Sequence, residues 1–503
     1  MGAVTNADYS DMQGLLRFGY GKLTAACFLL LRIDDAAAAA RWLAQAPVTS
    51  AEIQTPLPEQ ALQLAFTALG LRKLGVGDAI LNGFSIEFLA GMVGDANRSR
   101  RLGDEGANSP ERWVWGTDAL LPDMVAMIYA TPERFSGWRD DLQAEMVGSG
   151  FVLLECLPTS DMDGVEPFGF VDGVSSPTID WERQRDPSGD KLTYENVAML
   201  GEFVLGYPNE YDRYTTRPVV ADAAADLPDA EDASGMKDVG RNGTYVVMRQ
   251  LDQDVRGLWR YLNDQAGGDV AQSEKLAEQL VGRKMTGDPL PPLLAEEING
   301  VGPDPIDIRQ NRFTFDADPH GLVCPLGAHV RRANPRNVDL PVGTSSGLID
   351  RLVHILALNR FEDEDAPRDI VASTRFHRLV RRGREYGPEI TAEQRLEPTP
   401  PDEGATGLNF ICLNANIGRQ FEFIQSAWVA SSKFDGLDGE SDPLLGNREP
   451  VAGCPANGFT LPSPDGVRRQ IKDVPRFITV RGGAYFFMPG LRALRYLAHA
   501  ARA

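Results

Sequence analysis

Thr244-Tyr245-Val246-Val247-Met248-Arg249, continued by Leu251-Asp252 and a helical stretch with Leu258-Trp259-Arg260, decides the fold because it restates an earlier passage of the same chain. The earlier passage is Phe28 to Arg32, then Ile33-Asp34, then Arg41-Trp42-Leu43. Leu23 to Ile33 is apolar and short, and the Asp34-Asp35 pair after it caps the Ala-rich segment Ala36 to Ala44. That pattern predicts a buried strand feeding a helix, once in each half of the chain.

The echo continues outward from these two passages. Met124 to Ala130 predicts a strand, Pro132 to Met146 a capped helix and Phe151 to Leu157 another strand. Phe410 to Asn416 followed by Arg419-Gln420-Phe421-Glu422-Phe423 matches the first strand and helix of that series, and Phe477 to Val480 with Tyr485-Phe486-Phe487 supplies a closing strand or hairpin. Gln60 to Leu74, with Leu64, Phe66, Leu69 and Leu71, reads as a helix. A strand-helix-strand order occurring twice predicts two related α+β sandwiches, each an antiparallel sheet covered by helices. The acidic, small-residue stretch from Val219 to Gly235 reads as an exposed linker or long surface loop between them, and Leu396 to Gly407 as a polar insertion.

Composition sets limits on function. Fifty Lys and Arg stand against 71 Asp and Glu, a net charge of −21, which excludes the positive footprint that nucleic acid or an anionic membrane surface requires. The longest apolar run, Ala25 to Leu31, is far below the roughly 20 residues of a membrane helix. No basic and apolar leader is visible at Met1 to Tyr9, so a cytoplasmic location is expected. Five scattered cysteines show neither zinc spacing nor the pattern of covalently attached haem.

Three short stretches carry chemistry. Gly169-Phe170-Val171-Asp172-Gly173 has an Asp-Gly pair, which alone is an ordinary turn signal. Read functionally, its glycines let the backbone approach a flat ligand while Asp172, its pKa raised by an apolar pocket, shuttles a proton. Of five histidines, His329 stands apart: it follows Cys324-Pro325-Leu326-Gly327 and precedes Arg331, Arg332 and Arg336, cations placed to meet the carboxylates of a haem. A thiolate from Cys324 is a weaker candidate for the metal. His354 reads as a packed core residue, and His320, His377 and His499 as surface residues. Leu379-Val380-Arg381-Arg382-Gly383 offers an arginine that could stabilise charge as an O–O bond breaks, or could equally be a solvated face.

Together these motifs resemble the dye-decolorizing peroxidase family over most of the chain. Further matches are Ala65-Phe66-Thr67 with Gly70-Leu71, Gly201-Glu202-Phe203-Val204-Leu205-Gly206-Tyr207-Pro208, Tyr386-Gly387, Asn414-Ala415-Asn416-Ile417 with Gln420-Phe421, Asp442-Pro443-Leu444-Leu445-Gly446, and Gly482-Gly483 with Tyr485-Phe486-Phe487. The resemblance implies an α+β fold of two ferredoxin-like domains, 1–218 carrying Gly-x-x-Asp-Gly and 241–503 binding haem, joined by the acidic segment 219–240. It implies haem b held non-covalently, His329 as the proximal iron ligand, Asp172 and Arg381 as the distal catalytic residues, and Leu408 and Phe410 lining the pocket. Arg331, Asn334 and Arg336 would contact the cofactor, and Asp442 would be the acid on the proximal imidazole that supports high oxidation states of iron. The implied activity is one-electron oxidation of dyes and phenols by hydrogen peroxide, with a homo-oligomer left open. Length and insertions are similar to the larger, cytoplasmic-type bacterial members. Two other readings stay open here: a protein that stores, delivers or strips haem, and a non-haem α+β scaffold.

Overall fold

The two halves read alike because they build the same sheet twice. In the computed structural model, which describes residues 6–184, 196–292, 310–311, 313–336, 373–450 and 453–500, strands Ala25–Ile33 (β1), Gln60–Phe66 (β2), Met124–Ala130 (β3) and Phe151–Pro158 (β4) lie antiparallel in the order β4-β1-β3-β2. The second half contributes Thr244–Gln253 (β5), the short Val380–Arg381 (β6) and Arg384–Tyr386 (β7), Gly407–Asn414 (β8) and Ile478–Met488 (β9). Its order is β9-β5-β8, with β6 and β7 paired along the outer edge of β8. With β6 and β7 counted as one interrupted edge strand, both sets read fourth, first, third, second in chain order, and each first strand runs into a helix. This is the ferredoxin-like arrangement, so the chain is an α+β protein of two such units.

The helices begin where the sequence places their caps. Asp35 accepts from the Ala38 N–H at 2.9 Å and starts α1 (Ala36–Leu43), and Asp254 accepts from Gly257 at 2.8 Å and starts α3 (Val255–Gln265). Pro132, at a position where its missing N–H costs nothing, opens α2 (Pro132–Gly148). The short α4 (His329–Ala333) packs on the wide, π-type turn Ile424–Val429, and α5 (Leu491–Ala500) closes over α1. No described helix is long and apolar enough to cross a membrane.

Both faces of the sheet are covered. Leu29, Leu64, Phe66, Ile128 and Leu258 join one core under the helices, while Phe28, Leu30, Val125, Met127 and Val246 join another under the loops around Leu15 and Phe203. Alternate residues of a strand therefore enter different cores, and all seven residues of β3 are buried. This corrects the reading of Gln60 to Leu74 as one helix. Residues 60–66 are a strand that is apolar on both faces, a pattern periodicity cannot distinguish from a buried helix. Thr67 then caps a separate helix, Ala68–Lys73, through Gly70 N–H at 3.1 Å. Gly70 is required there because a Cβ would lie 2.0 Å from the Asp123 carbonyl oxygen.

Two other expectations change in detail. The closing element is one strand, β9, with a bulge between Val480 and Gly482 rather than a hairpin. The acidic segment is tied down rather than free: Val219–Val220 pairs with Lys237–Asp238, Arg217 Nε reaches Asp238 at 2.6 Å, and Leu227 is buried. The two sheets meet edge to edge where Phe487 of β9 lies opposite Phe66 of β2. Side chains strengthen that seam, because Phe84, Phe88, Tyr245 and Phe487 cluster with ring centroids 4.8 to 6.5 Å apart.

Candidate functional site

Asp172 sits in a loop braced from both sides. Its own N–H donates to Gly164 O at 3.1 Å, and Val171 N–H donates to Met285 O at 3.1 Å. Gly169 has φ +102°, and a Cβ there would meet the Arg395 guanidinium at 1.8 Å, whereas Gly173 has φ +82° with open space beside it. The first glycine thus makes room for an arginine, not for a ligand, and only the second borders free space. Arg381 arrives from β6, held in register by its pairing with Cys412, and its Nη1 donates to Asp172 Oδ1 at 2.8 Å. A third of each side chain is accessible.

His329 is the first residue of α4, placed by a tight turn in which Ala328 N–H donates to Pro325 O. Its Nδ1 lies 2.9 Å from Asp442 Oδ2. Asp442 is fully buried, and its other oxygen accepts from the Leu444 and Leu445 N–H groups, both at 2.9 Å. A carboxylate held this way can only accept, so Nδ1 carries the proton and Nε2 keeps the lone pair that binds metal. A quarter of the His329 side chain is accessible. Beside the Asp442 turn, Leu251, Phe410, Phe421, Leu445, Ile478 and Val480 share a small hollow of about 40 Å³ with Asp104, Asn108, Arg249 and Gln425, far less than a macrocycle needs. An imidazole whose Nδ1 is held by a buried carboxylate and whose Nε2 stays available to a metal is a donor set that fits the iron of a macrocycle such as haem.

The two pairs feel one another. Burial opposes the charged form of Asp172, but Arg381, the Gly173 N–H and His329 outweigh it and hold the carboxyl below its usual range. The sequence reading had this pKa raised; the correction comes from Arg381, which folding brings to Asp172 from 209 residues away. At His329, burial lowers the pKa, and Asp442 more than compensates, leaving it raised. The Asp442 carboxyl, opposed by burial, is nevertheless lowered, chiefly by His329.

The other residues singled out by sequence fall in different places. Leu408 and Phe410 are half-buried neighbours on one face of β8, opposite Leu251 and Arg249 of β5. Asn334 ends α4, its N–H donating to Val330 O at 3.0 Å. Arg331 and Arg336 are both buried and bind backbone carbonyls. Arg331 Nη1 donates to Asp318 O and Cys324 O, and Arg336 Nη1 donates to Asn311 O and Phe313 O, all within 2.9 to 3.1 Å. Charge next to a ligand in sequence does not say which way it points around a helical turn. Cys324 is fully buried and burial pushes its thiol up to about 12, against a thiolate ligand. His320 and His499 are exposed, and His354 lies outside the described residues. His377 is not a surface residue: it stacks on Phe423 at 3.7 Å, and burial holds it down to about 4.

Two residues near Asp172 escaped the sequence reading. Arg283, lowered to about 9 by burial and then by Arg336 and Arg381, links Ser175 Oγ to the carbonyls of Gly287 and Gln310. Glu166 accepts from Phe168 N–H at 3.1 Å, Phe170 N–H at 3.0 Å and Gln253 Nε2 at 2.8 Å, so one carboxylate gathers the loop that presents Asp172. Burial pushes it up to about 7. Nothing in its sequence context, an acid before a proline, signals that task. Replacing Glu166 by Gln turns an NH2 group toward a backbone donor, and the expected loss is ~1–3 kcal/mol of unfolding free energy, read by denaturant titration. An unchanged midpoint would show that the loop holds itself.

No family model matches the chain. It is 31% identical over 359 residues to the multifunctional dye peroxidase DyP2 of an Amycolatopsis species, covering 68% of this chain but 62% of that protein. It is 26% identical over 525 residues to the dye-decolorizing peroxidase AauDyP1 of Auricularia auricula-judae, covering 98% of this chain and 87% of that one. A crystal structure of a fungal DyP-type peroxidase from Auricularia auricula-judae has the same fold, with a TM-score of 0.71 at 24% identity over 98% of this chain and 100% of that one. Fold, facing side-chain pairs and relatives together define the class as a peroxidase. More narrowly, the chain belongs to the dye-decolorizing peroxidase family. That membership favours turnover of peroxide over the reading as a haem store or carrier.

Proposed function

We propose that the chain is a haem b peroxidase that uses hydrogen peroxide to oxidise dyes and phenolic donors one electron at a time. The observation that carries it is the Asp172–Arg381 pair, joined at 2.8 Å and electrostatically coupled to the His329–Asp442 pair, with the Asp172, Arg381 and His329 side chains each partly accessible. His329 Nε2 holds iron in this reading, with Leu408 and Phe410 against the ring. Haem, when bound, supplies the iron that passes electrons from donor to peroxide.

The protein's own part is proton handling and positioning. Asp172, held as a carboxylate by Arg381, takes the proton from one peroxide oxygen and returns it to the other, which leaves as water. Arg381 stabilises the negative charge that grows as the O–O bond stretches. Asp442 fixes the imidazole ring and its tautomer, and raises its basicity toward the metal. In this proposal residues 1–218 carry the distal aspartate, 219–240 connect, and 241–503 hold the cofactor in the cytoplasm.

Purified protein loaded with haem is expected to show a histidine-ligated ferric spectrum and to bleach a dye only when peroxide is added. Haem passed intact to an acceptor protein with no dye oxidation would support the carrier reading instead. Absence of any haem band would overturn both.

A further inference from the structure

At the outer edge of the N-terminal sheet, β1 and β4 bring two thiols together. Leu29 lies opposite Cys156 and Cys27 opposite Pro158 in the antiparallel register. The two cysteines are therefore diagonal neighbours, and both pack with the core on the helix-covered face. The register shifts between Leu30 and Leu31, next to this pair, and such a bulge increases the local twist. Cys27 is buried at 2% exposure, and Cys156 is half-buried on the edge strand, so a small solute can reach one sulfur but not the other.

Their contact divides the labour. Arg139 of α2 adds a cation that acts on both thiols. The neighbouring Cys27 thiol is the largest influence on Cys156 and, with Arg139, outweighs burial to lower its thiol to about 7. Cys156 in turn, then burial, drives the Cys27 thiol up. A reachable sulfur that ionises near neutrality beside a protonated resolving thiol is what peroxide-sensing cysteines require. Neither residue has a part in the peroxidase reading above.

We propose that Cys156 is a peroxide-reactive thiol and Cys27 its resolving partner, so that hydrogen peroxide closes a disulfide between β1 and β4. The Cys156 thiolate attacks one peroxide oxygen: an S–O bond forms, the O–O bond breaks, and the departing hydroxide takes up a proton to become water. Cys156 is now a sulfenic acid, oxidised by two electrons as the peroxide is reduced by two. The Cys27 sulfur then attacks the Cys156 sulfur. An S–S bond forms, the S–O bond breaks, and hydroxide leaves with the Cys27 proton as a second water. No haem takes part, so the step is separable from peroxidase turnover.

The test uses the haem-loaded protein, treated with hydrogen peroxide, quenched with N-ethylmaleimide, unfolded and digested for mass spectrometry. The expected result is loss of alkylation at both Cys27 and Cys156, with a linked peptide pair that dithiothreitol separates. Cys454, exposed and distant in sequence, serves as the internal control. In Cys27→Ser, dimedone is expected to trap a sulfenic acid on Cys156; should that buried substitution unfold the chain, Cys156→Ser must abolish the linked pair and leave Cys27 alkylatable after unfolding. Full alkylation of Cys156 after peroxide, alongside oxidised Cys454, overturns the proposal, as does a linked pair that omits either residue.

Discussion

With Asp172 replaced by Asn, the second-order rate constant for hydrogen peroxide is expected to fall by ~10²–10⁴-fold, the usual worth of a positioned acid–base group. The amide oxygen can still accept from Arg381, so thermal unfolding is expected to stay where it is. Stopped-flow mixing of haem-loaded protein with peroxide checks the rate, and an unchanged constant would remove Asp172 from the chemistry. The pH dependence follows from the same contact. The reaction needs the carboxylate, and Arg381 helps keep its pKa below the usual range, so activity persists on the acid side. Arg381→Leu leaves burial as the main influence on Asp172. Its pKa then rises because the opposite charge is gone, and the acid limb of the rate profile moves to higher pH. A limb that stayed put would mean that another group sets it.

The second large effect belongs to His329. In His329→Ala the axial imidazole is gone, and loss of the histidine-ligated spectrum together with nearly all dye oxidation is expected. Free imidazole supplied in solution should restore the absorption band, because it fits the space that the side chain vacates and that side chain is partly accessible. Asp442→Asn is milder: the ring keeps its place but loses its charged partner, and a ~10–100-fold loss in activity or metal affinity is expected. A histidine-type spectrum in His329→Ala without added imidazole would rule out the assignment.

Much of the fold could be read from sequence because its signals are local. Asp35 caps a helix after an apolar run, and Pro132 opens another. β2 was misread because a strand buried on both faces shows no alternation. β6, only two residues long and centred on arginine, offers no pattern at all, although it carries Arg381. The site divides along the same line. Asp172 and His329 stand out through their motifs, and resemblance to the family pointed to Asp442; the structure brings each beside a partner. The directions taken by Arg331 and Arg336, the pKa of Asp172 and the bracing by Glu166 depend on partners from other parts of the chain. None of these has a local signature.

The Asp172–Arg381 bond joins the two ferredoxin-like units, one side chain from each, whereas His329 and Asp442 come from the second unit together. Iron ligation and peroxide cleavage therefore fail differently when the chain is assembled badly. A molecule whose units are docked out of place keeps the imidazole and its carboxylate, and so can still take up cofactor, but it lacks the pair that handles peroxide. Under the proposed function a chain with misdocked units would hold haem without cleaving peroxide, so docking of the two units would act as a safety interlock on the chemistry.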